Sequence, residues 1–133
     1  MSKIIHGRGY VYSLQYHLVW CVKYRRKILS AEIEKTFKSI LVTLCSEHDI
    51  FIEAMEVDKD HVHMLIGLKP QHYIPTVVKT LKGQSARRLF KQHPEIKKFL
   101  WDGHLWNPSY FIATVSENTE DQVRKYIQEQ KQK

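Results

Sequence analysis

The stretch His61-Val62-His63-Met64-Leu65-Ile66-Gly67-Leu68 decides the fold. Val62, Met64, Ile66 and Leu68 fall on one face, and His61, His63, Leu65 and Gly67 fall on the other. An apolar set that recurs every second residue belongs to a strand with one face on a core. Asp58-Lys59-Asp60 before it is a polar turn, and residues 51–57 read as a second strand leading into that turn. Further upstream, Ile33, Phe37, Ile40, Leu41 and Leu44 recur at helical spacing behind Ser30 as an N-cap, which predicts a helix over 31–47. Residues 10–22 alternate throughout and predict one long strand, with Tyr16, Leu18, Trp20 and Val22 on its apolar side and Ser13, Gln15, His17 and Cys21 on its polar side. Downstream, Pro75 opens a long helix whose core side carries Ile74, Val77, Val78, Leu81, Leu89 and Phe90. Residues 94–108 are irregular and aromatic, and residues 110–115 form a last strand. Thr119 and Gln122 have the spacing of a capping box, opening a terminal helix through Val123, Tyr126 and Ile127. The order β-α-β-β-α-β-α predicts an α+β, ferredoxin-like (RRM-like) antiparallel sheet with two helices on one face and an additional C-terminal helix.

The composition agrees with one folded unit over residues 1–133: hydrophobic residues make up 43% and charged residues 26%, which excludes a disordered tail protein. No run approaches the roughly 20 apolar residues of a membrane span, and the apolar part of residues 1–8 is too short for a signal peptide. Two cysteines, Cys21 and Cys45, with no CxxC spacing, suit a reducing cytoplasm rather than a disulfide framework. Lys plus Arg number 21 against 14 Asp plus Glu, a net charge of +7, and such a balance on a small domain points to a polyanionic partner, nucleic acid first. Lys23, Arg25, Arg26 and Lys27 at a strand end, and Lys79, Lys82, Arg87 and Arg88 on the second long helix, are the candidate phosphate contacts. Tyr24, Trp101 and Trp106 are candidates to stack on bases, although the tryptophans suit the core better.

Eight histidines make metal or proton chemistry worth testing against position. On a strand His61 and His63 project to the same side, about 7 Å apart, away from the apolar face of Val62, Met64 and Ile66. Two neutral imidazoles so placed can share one divalent ion, but HVH alone does not make a site. Tyr126 and Gln130 are four apart and share a helix face. If that helix lies over the open sheet face, Gln130 supplies a third, oxygen ligand beside Tyr126. Spacing alone is as simply met by a surface tyrosine and a solvated glutamine. His17, and Glu56 if the hairpin register sets it beside His63, are rival ligands, and His104 has no assigned role.

The same motifs together resemble the single-tyrosine HUH transposases of the insertion-sequence 200/605 group. Tyr16-His17-Leu18-Val19-Trp20-Cys21-Val22-Lys23-Tyr24-Arg25-Arg26-Lys27 is similar to that family's opening strand and basic turn, and Asp60-His61-Val62-His63-Met64-Leu65-Ile66 to its HUH strand. Leu81-Lys82-Gly83-Gln84-Ser85-Ala86-Arg87, Leu105-Trp106-Asn107-Pro108-Ser109-Tyr110-Phe111 and Lys125-Tyr126-Ile127-Gln128-Glu129-Gln130 match its remaining motifs in order. Lys59 departs from the Pro found in many members, in a turn without catalytic groups.

The resemblance implies that His61, His63 and Gln130 hold Mg²⁺ or Mn²⁺ and that Tyr126 is the nucleophile. Single-stranded DNA would be cleaved at hairpin-marked element ends through a 5′-phosphotyrosine and rejoined by attack of a 3′-hydroxyl. Such an intermediate retains the phosphodiester's energy, so no nucleotide cofactor is expected, and no P-loop is present. A homodimer with the tyrosine helix supplied in trans is implied as well. Three other readings compete: a domesticated relative acting on repetitive palindromes, a non-catalytic ferredoxin-like nucleic-acid module that stacks bases on its sheet, and a rolling-circle replication initiator.

Overall fold

The computed structural model describes residues 5–7, 10–12, 14–115 and 119–130. β1 (Ile5–Gly7) and β2 (Tyr10–Tyr12) pair antiparallel as a separate two-stranded ribbon. β3 (Gln15–Cys21), α1 (Ala31–Glu47), β4 (Phe51–Val57), β5 (His61–Gly67), α2 (Ile74–Gln92), β6 (Phe111–Thr114) and α3 (Thr119–Glu129) follow. The second sheet has the order β4-β5-β3-β6, and every neighbouring pair is antiparallel. β3-α1-β4 therefore leaves a one-strand gap that β5 fills, and β5-α2-β6 leaves one that β3 fills, which is the split βαβ arrangement. Among the described residues, no helix is long and apolar enough to cross a membrane.

The strand expected over 10–22 is two strands. Alternation specifies a pleated conformation but not a partner: residues 10–12 pair with β1, whereas Gln15 onward pairs with β5 and β6. The facing expected of Ser13 lies outside the described residues. Val22 makes only an isolated bridge to Trp106. Two helix starts and one irregular region need smaller corrections. Ser30 stands at the N-cap of α1 but its hydroxyl makes no cap bond. Thr119 is the first residue of α3 rather than its cap, and its hydroxyl donates to the Thr114 carbonyl. The region 94–108 contains a 3-10 turn, Pro94–Phe99, that buries Ile96.

α1 and α2 cover one sheet face. Leu18, Trp20, Val62, Met64 and Ile66 from the sheet meet Phe37, Leu41, Leu44, Val78, Leu81 and Leu89 from the helices, and each is buried. Trp20 sits edge-on to both Phe37 (6.4 Å between centroids) and Trp106 (5.8 Å). Pairs in this geometry add about 0.5–1.5 kcal/mol beyond the area they bury. The Trp106 indole N–H donates to the Lys82 carbonyl at 2.9 Å.

The opposite sheet face is also covered, the arrangement raised above for the terminal helix. Gln15, His17, Val19 and Cys21 on β3 are all buried. The cover is α3, which lies against β3 and β6 and buries Thr119, Val123 and Gln130, residues spaced along one helix face.

Candidate active site

Register sets the site's rows. Glu56, His63, Val19 and Phe111 lie opposite one another across four strands, and His61 lies opposite Cys21. Paired residues share a face, so the face covered by α3 carries both histidines of the HVH segment.

At one end of this face His17 and His63 meet, with His17 Nδ1 2.7 Å from His63 Nε2 in a hydrogen bond that one ring donates and the other accepts. Glu120, in the first turn of α3, joins them: the ligand atoms of His17, His63 and Glu120 all lie within 4.8 Å of one another. Burial lowers the pKa of His17, with Glu120 opposing, and burial followed by the neighbouring His17 lowers that of His63. Both imidazoles are thereby kept neutral near pH 7, the form that binds metal.

His61 has different company. Its Nδ1 lies 2.7 Å from Asp60 Oδ1. Asp60 Oδ2 accepts from Arg25 Nε at 3.1 Å and Nη2 at 2.8 Å. Burial pushes the Asp60 carboxyl up, but the His61 and Arg25 interactions together outweigh it and hold it below its ordinary value. With Nδ1–H donated to a carboxylate, the lone pair of Nε2 is left for a ligand.

Tyr126 and Gln130 meet at Ser109. The Tyr126 hydroxyl lies 2.6 Å from Ser109 Oγ, and Ser109 Oγ donates to Gln130 Oε1 at 3.4 Å. The Phe111 ring packs 5.8 Å from the phenol ring. Burial raises the Tyr126 pKa, with the Ser109 hydrogen bond pulling the other way. The phenol is therefore protonated at neutral pH. Ser109 is held from α2 and by its own loop: Lys82 Nζ donates to the Asn107 and Ser109 carbonyls at 2.7 and 3.0 Å, and Asn107 Oδ1 accepts from the Ser109 N–H at 3.0 Å. Burial pulls the Lys82 ammonium down to about 8. The Cys21 and Cys45 thiols are free, and burial pushes them up to about 11 and about 12.

Thus His61 and His63 share one face, and Tyr126 and Gln130 share Ser109. Among the described residues no hydrogen bond joins the two groups. Register does put Glu56 opposite His63, but the converging ligand atoms include Glu120 instead. His104 is exposed and lines a pocket of about 410 Å³ with Lys23, Lys82 and Asn107.

The candidate phosphate contacts divide. Lys79 and Arg87 are exposed on α2. Lys23 pairs with Asp102 at 2.7 Å, Arg88 pairs with Glu47 of α1 at 2.9 Å, and Lys82 and Arg25 are committed to the internal bonds above. The Arg26 guanidinium lies 5.2 Å from the centre of the Tyr24 ring. Tyr24 stacks on Trp101 at 6.2 Å and an interplanar angle of 14°, and Trp101 is 76% exposed, so of the three tryptophans this one leaves the core. Ser109, Asn107, Asp60 and Glu120 were not singled out as site residues from the sequence. Asp60 next to HVH and Asn107-Pro108-Ser109 next to the last strand were the available signals.

The chain thus presents a histidine-bearing antiparallel sheet roofed by a tyrosine-bearing helix, and comparison with known proteins places it in a family. The profile of the family described as "Transposase IS200 like" matches residues 10–130, and the chain belongs to that family. It is 53% identical over 127 residues to the ISDra2 transposase TnpA of Deinococcus radiodurans, covering 96% of this chain and 91% of that protein. It is 30% identical over 123 residues to a transposase for insertion sequence element IS200 of Salmonella typhimurium, covering 90% and 81%. A crystal structure assigned to a transposase of D. radiodurans R1 superposes with a TM-score of 0.90 at 48% identity, covering 95% of this chain and 97% of that one. A REP-associated tyrosine transposase bound to a REP hairpin superposes with a TM-score of 0.59 at 13% identity, covering 90% and 67%, and shows the shared fold alone.

Proposed function

We propose that residues 1–133 act as one catalytic domain that cleaves and rejoins single-stranded DNA at hairpin-marked ends, with Tyr126 as nucleophile. The observation that carries this is the docking of α3 on the histidine face, with Glu120 at His17 and His63 and the Tyr126 hydroxyl at Ser109. In the step proposed, Tyr126 Oη attacks the scissile phosphorus, an O–P bond forms, and the bond to the 3′-oxygen breaks. The phenol loses a proton to solvent and the departing 3′-oxygen gains one. The product is a 5′-phosphotyrosine, which a 3′-hydroxyl reverses when strands rejoin.

Ser109 shares a hydrogen bond with the phenol, which either hydroxyl can donate, and fixes the direction of Oη, and Phe111 packs against the ring. Two neutral imidazoles with an oxygen donor fit a divalent cation, Mg²⁺ or Mn²⁺. We assign His61 and His63 as ligands with Gln130; His17 and Glu120, whose ligand atoms converge with those of His63 but not of His61, are the alternative partners of His63. Such an ion, when bound, polarises a non-bridging phosphate oxygen. Lys79 and Arg87, exposed on α2, would contact phosphates, and the Tyr24–Trp101 stack would take a base. A cytoplasmic homodimer is proposed in which α3 makes these contacts either on its own sheet, as here, or on the partner's.

Incubation with single-stranded oligonucleotides from both flanks of the gene, with Mn²⁺, should give a covalent protein–DNA adduct on a denaturing gel. The adduct should vanish with EDTA and with Tyr126→Phe. Hairpin binding without any adduct would favour a decayed or repurposed copy. An adduct that persists in Tyr126→Phe would overturn the nucleophile. Sedimentation at micromolar concentration tests the dimer.

A further inference from the structure

Arg25 stands in the basic cluster that the charge pattern offers to phosphate, yet its side chain is only 15% exposed. Its donors face inward. Nε and Nη2 hold Asp60 Oδ2, and Nη1 donates to the Ile127 carbonyl at 3.1 Å. Asp60 in turn keeps its other oxygen on His61 Nδ1. Ile127 follows Tyr126 in the chain, and its carbonyl is among the last four of α3, which have no partner within the helix. A cation there also suits the negative end of the helix dipole. Tyr24 and Arg25 hold left-handed backbone angles, φ 58° and 50°, a conformation costly for residues with a Cβ. The bond from the Arg25 N–H to the Val22 carbonyl, 2.7 Å, and that from the Val22 N–H to the Asp60 carbonyl, 2.8 Å, hold this turn against the start of β5.

We propose that Arg25 is a positioning residue that couples the histidine strand to the tyrosine helix: through Asp60 it fixes the ring of His61, and through the Ile127 carbonyl it docks α3. The coupling rests on the proposed roles of His61 as metal ligand and Tyr126 as nucleophile. Two consequences follow from the geometry. Cation binding at His61 and docking of α3 share one guanidinium, so each strengthens the other, and the linkage is reciprocal. A lysine keeps the charge but cannot present three donors in a planar fork to two partners at once.

The test uses the full chain without DNA, titrated with Mn²⁺ by calorimetry, with amide hydrogen exchange followed in α3. Asp60→Asn and Arg25→Lys should each weaken Mn²⁺ binding by about tenfold or more, the scale of outer partners of metal ligands. Arg25→Lys should also speed exchange in α3, whereas Arg88→Ala, on the other sheet face, should do neither. On hairpin DNA, the slope of log affinity against log salt should be unchanged in Arg25→Gln, which removes the charge. Unchanged Mn²⁺ affinity in both Asp60→Asn and Arg25→Lys, with His61→Ala abolishing binding, would overturn the coupling. So would a salt slope that shifts by about one, the loss of a phosphate contact, with Mn²⁺ affinity intact. Unchanged Mn²⁺ affinity in His61→Ala would instead overturn the metal assignment beneath it. Should Arg25→Lys fold poorly, Asp60→Asn carries the metal arm alone.

Discussion

The two faces of β5 are built on different terms. Val62, Met64 and Ile66 are fully buried against α1 and α2, where any apolar shape that fills the space is stabilising. His61 and His63, one residue out of phase, are half-buried, and each bonds a named polar partner, His63 to His17 on β3 and His61 to the neighbouring Asp60. The first face is governed by area removed from water, roughly 25 cal/mol per Å². The second is governed by matched donors and acceptors, where a lost partner costs more than a lost methyl group. Damage to one face should therefore read out as stability, and damage to the other as chemistry.

The sharpest separation comes from Tyr126→Phe. Adduct formation should fall by at least about a thousandfold, as for other nucleophile removals. Urea unfolding should change by no more than about 1 kcal/mol, one hydrogen bond. Trp20→Ala is the mirror case. It should cost about 3–5 kcal/mol in the same unfolding measurement, much of the usual stability of a domain. Whatever protein stays folded should keep its metal affinity, and loss of both together would break the comparison.

Mild acidification addresses the buried histidine pair of the polar face. The folded pKa values of His17 and His63 are lowered, so below about 6.5 the unfolded chain binds protons that the folded chain resists. Stability should then fall as pH drops below that value, by at most about 1.4 kcal/mol per unit for each ring, until the folded values are passed. His17→Gln should flatten the profile, and an unchanged slope would show that the pair is not titrating. Ser109→Ala removes the bond that opposes the burial-raised pKa of Tyr126. Cleavage should slow by about tenfold, roughly the worth of one hydrogen bond, and the alkaline limb of its pH–rate profile should move to higher pH. Glu47→Gln should have the smallest effect. It breaks the exposed pair with Arg88, worth about 0–1 kcal/mol, and should leave cleavage unaltered.

The apolar face was legible residue by residue because burial follows a local period: Val62, Met64 and Ile66 on the strand, Phe37, Leu41 and Leu44 on the helix. Strand order followed from element order. The polar face was legible only as a set of residue types. Alternation over 10–22 could not reveal that pairing partners change between Tyr12 and Gln15. Charge could not distinguish Arg25, whose partners lie 35 and 102 positions away, from the exposed Arg87. Nor could it show that Lys82 clamps a loop or that Arg88 answers Glu47. Glu120 met His17 and His63 only once α3 was laid across the sheet.

The two cysteines lie on opposite sides of that sheet. Cys45, on α1, is sealed in the apolar layer, while Cys21, opposite His61, is sealed on the face that α3 covers. Neither thiol reacts while buried and protonated. An alkylating reagent therefore reads two clocks in one molecule. Modification of Cys45 waits for the core to open, while modification of Cys21 can keep time with the lifting of a single helix, so the ratio of the two rates measures how often the tyrosine leaves its seat.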